Sequence, residues 1–137
     1  MRVVLDSSVL IAASISRAGV CAELLQDVLT AHELIVSDFI IQEVIRKLTV
    51  KFRFAKSDIA EVRRLLLAAG TVVTPASLPM EICRDPDDVP VIGTAVSGEA
   101  ELLVSVDKDL LAMQRYGRVR IVKPGQFWQM AMPRDVD

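Results

Sequence analysis

The sequence contains few of the residues that zinc sites, disulfides and nucleophilic triads require. It has one histidine, His32, and two cysteines, Cys21 and Cys83, which are far apart and form no C-x-x-C pattern. We therefore expect neither a Cys/His zinc site nor a Ser-His-Asp triad. Aromatic residues make up only 4% of the 137 residues, so the core must be built mainly from Val, Ile, Leu and Ala.

Long apolar runs are also absent. No segment approaches the ~18 apolar residues that a membrane span needs, and Asp6 interrupts the apolar stretch at the N-terminus, which does not resemble a signal peptide. Hydrophobic residues make up 52% of the chain and charged residues 25%, which is typical of a packed domain. We expect a soluble, reduced, cytoplasmic protein with no membrane partner, comprising one domain over residues 1–132 and a polar C-terminal tail over 133–137.

Several motifs that bind phosphate or calcium are missing. No G-x-G-x-x-G or P-loop glycine pattern follows a predicted strand. An EF-hand loop beginning at Asp85 would need glycine and glutamate at its sixth and twelfth positions, where Pro90 and Val96 stand. Any site in this chain must therefore be built from other residues.

Short apolar runs alternate along the chain with segments of helical spacing. This alternation predicts an α/β fold, a three-layer α/β/α sandwich with a central parallel sheet of about five strands. The predicted strands are 2–6, 33–37, 71–75, 101–107 and 119–124, and the predicted helices are 7–16, 18–31, 38–52, 57–70, 89–99 and a final turn or two in 125–132, with a loop or short helix at 108–117.

Acidic residues follow or accompany the strands of this predicted sheet. Asp6 ends the first strand, Asp107 ends the fourth, and Asp88 opens the helix that leads into the fourth. Glu43 lies early in the helix after the second strand. Because crossover helices begin at the edge where parallel strands end, we expect these carboxylates to converge there.

Each of these carboxylates also has an ordinary structural interpretation. Asp6, Asp87 or Asp88 would cap a helix, and Glu43 would pair with Lys47 one helical turn away. Together, however, four or five carboxylates at one edge repel one another and cost stability unless a cation neutralises them. With oxygen ligands alone, Mg²⁺ or Mn²⁺ is the natural cation.

Basic residues concentrate in one segment. From Arg46 to Arg64 there are seven Lys or Arg residues against two acidic ones, although the net charge of the chain is −2. This asymmetry indicates a polyanionic partner, and a solvated helical face is the alternative interpretation.

Four segments in order, "VVLDSSVLIAA", "SDFIIQEVIRKL", "RDPDDVPVIGTA" and "ELLVSVDKDLL", resemble the PIN domain family, in its subgroup of VapC-like toxins of toxin–antitoxin systems. The resemblance runs from Met1 to about Trp128. It implies a parallel-sheet α/β/α sandwich and a ribonuclease that depends on Mg²⁺ or Mn²⁺. Three local departures occur: Ser8 stands where Asn is common, Val106 where Gly is common, and Val89-Pro90 where a polar residue often follows the aspartate.

The resemblance also implies a role for individual residues. It places the catalytic and metal-binding set at Asp6, Glu43, Asp88 and Asp107, with Asp87 as a neighbour and Asp109 as a fifth, less uniform member. Two hydroxyl residues, Ser7 and Ser105, are expected to support this set. The candidates to hold the RNA backbone are Arg46, Lys47, Lys51, Arg53, Arg63 and Arg64, with Phe52 or Phe54 either stacking a base or serving as core or dimer contacts.

The implied partners are RNA, a second copy of the chain in a homodimer or higher homo-oligomer, and a cognate antitoxin whose peptide would block the acidic groove. The main alternative is a catalytically inactive metal- or RNA-binding module of the same fold that acts through protein partners. A third hypothesis is a structural α/β domain in which every aspartate is a cap.

Overall fold

The structure is a computed structural model that describes residues 1–131. Within these residues, six strands form one sheet: β1 (Arg2–Leu5), β2 (Glu33–Val36), β3 (Gly70–Val72), β4 (Leu102–Val104), β5 (Arg115–Tyr116) and β6 (Val119–Val122). The strand order is β3-β2-β1-β4-β6-β5. The predicted tail, residues 133–137, and the predicted domain boundary at residue 132 lie outside the described residues.

Seven α-helices flank the described sheet, and they complete the predicted three-layer α/β/α sandwich. Two short 3₁₀ turns, Met80–Ile82 and Pro86–Asp88, precede the fifth helix. The helices are α1 (Ser7–Ile15), α2 (Val20–Ala31), α3 (Asp38–Val50), α4 (Lys56–Ala69), α5 (Val89–Ser97), α6 (Lys108–Met113) and α7 (Pro124–Ala131).

The central strands pair in parallel, as predicted. β1 lies between β2 and β4, while β3 and β6 pair with the outer sides of β2 and β4. β5, which the sequence pattern did not predict, pairs antiparallel with β6 through a two-residue turn. Gly117 occupies the first turn position with φ 58°, a conformation that favours glycine in such tight hairpins. Segment 108–117 therefore contains α6 followed by a strand of two residues.

The core is formed by strands that are apolar on both faces. Val3, Val4 and Leu5 of β1 are fully buried, as are the facing residues of β2 and β4. This continuous burial explains why the strands appear in the sequence as unbroken apolar runs, since helices cover both faces of a parallel sheet. Phe127 of α7 is the one aromatic side chain among the largest fully buried residues of the described chain.

A close backbone approach fixes the position of α5. Gly93 has no side chain, and a Cβ at this position would lie 2.4 Å from the carbonyl oxygen of Ala76. The amide of Ala76 donates to the Gly93 carbonyl oxygen at 2.9 Å. The loop between β3 and the first 3₁₀ turn is thereby held against α5.

Within residues 1–131, no single helix is both long and apolar enough to cross a membrane. The pair formed by α1 and α2 meets the criteria of length and composition only when the two helices are counted together, and they are bent by 109°.

Candidate active site

The carboxyl ends of β1 and β4 form one side of an acidic cleft. These strands are neighbours, and the order of the sheet reverses between them, because the chain first builds β2 and β3 on one side of β1 and then β4 and β6 on the other. Such a reversal opens a crevice at the carboxyl edge of the strands. The cleft has a volume of about 250 Å³ and is lined by Asp6, Ser7, Ser8, Glu43, Arg46, Lys47, Asp85, Asp87, Asp88 and Asp107.

Asp6 lies at the base of the cleft, immediately after β1, and its side chain is almost completely buried. It occupies the residue position before α1, but its carboxylate makes no capping hydrogen bond to that helix. Instead, its Oδ2 accepts hydrogen bonds from the hydroxyls of Ser8 and Ser105, each at 2.8 Å. The Asp6 side chain therefore does not cap α1 as one interpretation predicted, and it lines the cleft instead.

Glu43 reaches the cleft from the second turn of α3. Ser37 caps this helix by accepting a hydrogen bond from the amide of Ile40 at 3.4 Å, which fixes where the helix begins. The Glu43 Oε1 accepts a hydrogen bond from the Ser7 hydroxyl and lies 4.0 Å from the Lys47 ammonium nitrogen. Glu43 therefore both pairs with Lys47 and lines the cleft, so its two interpretations are compatible.

Asp107 and Asp109 follow β4 in the loop that begins α6. Asp107 Oδ1 accepts a hydrogen bond from the Asp109 amide at 3.1 Å, so Asp107 caps α6 and lines the cleft at once. Its own amide donates to the Ser105 hydroxyl at 2.9 Å. Both carboxylates are half-buried.

The aspartate-rich turn before α5 forms the opposite side of the cleft. Asp85 caps the 3₁₀ turn by accepting a hydrogen bond from the Asp87 amide at 3.0 Å. Neither Asp87 nor Asp88 makes a side-chain capping bond, so the capping interpretation of these two residues is wrong. Asp87 is exposed, whereas Asp88 is buried beside the thiol of Cys83, whose Sγ lies 4.0 Å from Asp88 Oδ2.

Asp85 is the functional candidate that the sequence pattern missed. It lines the cleft, and one carboxylate oxygen from each of Asp85, Asp88 and Asp109 lies within 4.8 Å of the others. The sequence did contain a signal for Asp85. It precedes Pro86 and stands two residues before the amide that it caps, and such a cap fixes the carboxylate beside its turn.

The crowding of these carboxylates changes the acidity of Asp88. Burial is the largest cause; together with the hydrogen bond to Asp107 and the negative charges of Asp107, Asp6 and Asp85 it raises the pKa of Asp88 to about 8. A carboxyl group with this pKa carries a proton at neutral pH unless a cation stabilises its charge.

The donor set of the cleft fits a hard divalent cation. The carboxylates of Asp6, Asp88 and Asp107 line the same cleft, while Asp85, Asp88 and Asp109 form the group whose oxygens lie within 4.8 Å of one another. Oxygen ligands of this kind suit Mg²⁺ and Mn²⁺. No histidine lines the cleft, and Cys83 is held in its protonated form because burial raises the pKa of its thiol.

The predicted basic residues divide into two groups. Arg46 and Lys47 line the cleft, because they lie on α3 within one turn of Glu43. The remaining four candidates, Lys51, Arg53, Arg63 and Arg64, are exposed and do not line it. Arg64 pairs instead with Glu61 on the same helix.

The two phenylalanines near these residues also differ. Phe54 is half-buried and packs against the core, as one of the two interpretations predicts. Phe52 is 41% exposed, and the Lys51 ammonium nitrogen lies 5.9 Å from its ring centroid.

Comparisons with known proteins agree with this architecture. The structure is similar to VapBC2 from Rickettsia felis, determined in a crystal bound to a DNA fragment from its promoter. The TM-score is 0.66 and the sequence identity 12%, over 90% of this chain and 98% of the other. No curated protein matches the sequence. The PIN domain family matches residues 2–109, which include every carboxylate of the cleft, and this chain therefore belongs to the PIN domain family.

Proposed function

We propose that this protein is a metal-dependent endoribonuclease that hydrolyses phosphodiester bonds of RNA and acts as the toxin of a toxin–antitoxin pair. One observation carries the proposal: buried and half-buried carboxylates from four separate parts of the chain meet in a small cleft at the carboxyl edge of the sheet. Repulsion among these carboxylates lowers the stability of the fold, and a bound cation offsets that repulsion.

The residues proposed to hold Mg²⁺ or Mn²⁺ are Asp6, Asp88 and Asp107, with Asp87 and Asp109 as outer members. Asp85, which shares a small group of oxygens with Asp88 and Asp109, joins them as a candidate. When bound, a divalent ion supplies a water of lowered pKa and positive charge that stabilises a phosphorane-like transition state.

The protein's own side chains supply the remaining functions. Glu43 is fixed through Oε1 by Ser7, so its other oxygen is available to orient a water or to ligate a cation. Lys47 and Arg46 lie beside it and are suited to bind the negatively charged RNA backbone. Their positive charge next to the acidic residues also reduces the repulsion that an approaching phosphate would otherwise meet.

The proposed partners are RNA, a second copy of the chain and an antitoxin. Membership of the PIN domain family and the likeness to VapBC2 support the antitoxin. The cluster of exposed basic residues in the α3–α4 connection and on α4 supports a polyanionic partner, and we keep Lys51, Arg53, Arg63 and Arg64 as candidates for contacts outside the cleft.

Cleavage of a labelled RNA in Mg²⁺ or Mn²⁺ tests this proposal. We expect Asp6→Asn and Asp107→Asn each to reduce the rate by about 100-fold or more, because each removes a charge from the reacting centre. Asp58→Asn is the matched control, since Asp58 is an exposed aspartate on α4 outside the cleft.

Equal activity in the wild type and both cleft variants would point to a contaminating nuclease and contradict the proposal. Binding of Mn²⁺ and RNA without cleavage would also contradict it, and would favour the catalytically inactive module.

A further inference from the structure

One oxygen of the Asp6 carboxylate is occupied by the protein itself. The hydroxyls of Ser8 and Ser105 both donate to Oδ2, at 2.8 Å each. A carboxylate oxygen has about two lone-pair sites, so these two donors saturate it. No hydrogen bond to Oδ1 occurs within residues 1–131, which leaves that oxygen as the one available to a ligand.

The two hydroxyls cannot easily turn away from Asp6. Ser105 Oγ accepts a hydrogen bond from the Asp107 amide at 2.9 Å, and Ser8 Oγ accepts a longer one from the Val106 amide at 3.4 Å. A hydroxyl has a single hydrogen, and with backbone donors on its oxygen that hydrogen is directed to the remaining acceptor. Both hydrogens therefore point to the carboxylate.

These bonds also join two separate parts of the cleft. Asp6 and Ser8 belong to the β1–α1 junction, whereas Ser105, Val106 and Asp107 belong to the loop after β4. Ser105 contacts both acidic residues, through its hydrogen on one side and its oxygen on the other. Ser105 thus ties the Asp6 carboxylate to the backbone of Asp107, although its hydroxyl is not itself a proposed ligand.

We propose that Ser8 and Ser105 are positioning residues that make Asp6 a ligand through one oxygen, Oδ1, and hold Asp107 in register with it for a divalent cation. This inference rests on the proposed function, because it concerns the same site. Hydrogen-bond partners that orient a ligand typically change metal affinity by 10- to 100-fold when they are removed.

The two serines differ in burial, and this difference decides which variant is the cleaner test. Ser105 is fully buried, and its loss would also leave the Asp107 amide without its acceptor. Ser8 is half-buried in the first turn of α1, where alanine is well tolerated in a helix. Ser8→Ala is therefore the primary variant and Ser105→Ala the second.

The experiment measures Mn²⁺ binding through the electron paramagnetic resonance signal of the free ion, together with the melting temperature of each metal-free variant. We expect Ser8→Ala to weaken Mn²⁺ binding about 10-fold, with little change in the metal-free melting temperature. Ser8→Thr retains the hydroxyl and restores binding. Ser14→Ala is the matched control, because the Ser14 hydroxyl on the same helix bonds, within residues 1–131, only to the Leu10 carbonyl oxygen, at 2.8 Å.

Cleavage assays give a second readout. Ser8→Ala should raise the Mn²⁺ concentration that gives half-maximal cleavage, while kcat at saturating Mn²⁺ stays close to that of the wild type. A wild-type affinity for Mn²⁺ in both Ser8→Ala and Ser105→Ala would overturn the inference and leave the proposed function standing. Equal weakening in Ser14→Ala would overturn it as well, because the effect would then belong to the helix. If the wild type binds no Mn²⁺, both the inference and the proposed function fail.

Discussion

The two edges of the sheet carry acidic residues in different surroundings. At the amino edge, Arg2 at the start of β1 lies 3.7 Å from Glu33 and 3.2 Å from Glu99, measured between side-chain nitrogen and oxygen. Its backbone amide also donates to Glu101 at 3.3 Å. These groups are exposed, and each of the three acidic residues contacts the side chain or the backbone amide of Arg2.

At the carboxyl edge the acidic residues are more numerous and less exposed, and cations are scarce. Within residues 1–131, the one ion pair that any cleft carboxylate makes is the 4.0 Å contact between Glu43 and Lys47. The remaining carboxylates depend on hydroxyls, backbone amides and one another. The comparison indicates that acidic residues alone do not favour a cation site, whereas acidic residues that the fold buries with few ion pairs do.

The first effect expected from this difference is stabilisation by metal. Mn²⁺ at about 100 times its Kd should stabilise the folded protein by ~2.7 kcal/mol, which corresponds to a rise in melting temperature of about 10 °C. Differential scanning fluorimetry with and without Mn²⁺ measures this rise. Asp88→Asn should abolish it, whereas Glu101→Gln at the amino edge should leave it intact. A similar loss in both variants would remove the distinction between the two edges.

A second effect is expected from pH in the absence of metal. Asp88 has a pKa of about 8 in the folded protein, against 3.8 as its ordinary value. The folded state therefore binds more protons than the unfolded state between these limits, and stability must fall as pH rises from about 4 to about 8. Urea unfolding of the metal-free protein at several pH values should show this decline.

Asp88→Asn provides the control for that decline, because asparagine has nearly the same shape and does not ionise. The difference in unfolding free energy between variant and wild type should grow with pH in favour of the variant. His32 acts in the opposite direction, since burial lowers its pKa, and its contribution cancels in this difference. A difference that is independent of pH would mean that Asp88 is not crowded in solution.

Much of the site could be predicted from the sequence because apolar runs mark where buried strands end. Asp6 stands immediately after such a run, Asp107 lies three residues beyond the end of β4 rather than at its last position, and Glu43 follows a recognisable helix start at Ser37. Parallel pairing then brings these ends to one edge whatever the details of the loops. That rule located three of the carboxylates without any knowledge of side-chain contacts.

The remaining features depend on local geometry that periodicity does not encode. The 3₁₀ turn at Pro86–Asp88 gives the capping role to Asp85 and leaves Asp88 to enter the cleft, although all three aspartates look alike in sequence. Strand β5 has only two residues, which is too short for an alternating pattern. Ser8, a departure from the PIN pattern, gains its importance only from its contact with Asp6.

The smallest effect is expected at the amino edge itself. Arg2→Ala removes the ion pairs with both Glu33 and Glu99, yet these side chains are exposed, and pairs of this kind contribute less than about 1 kcal/mol. Urea unfolding at low and high salt should therefore give a loss below that value, and salt should reduce it further. RNA cleavage should not change. A loss of more than about 2 kcal/mol would mean that these exposed pairs stabilise the fold as strongly as buried ion pairs do. The charged groups of the two edges would then no longer differ in how much they matter to the protein.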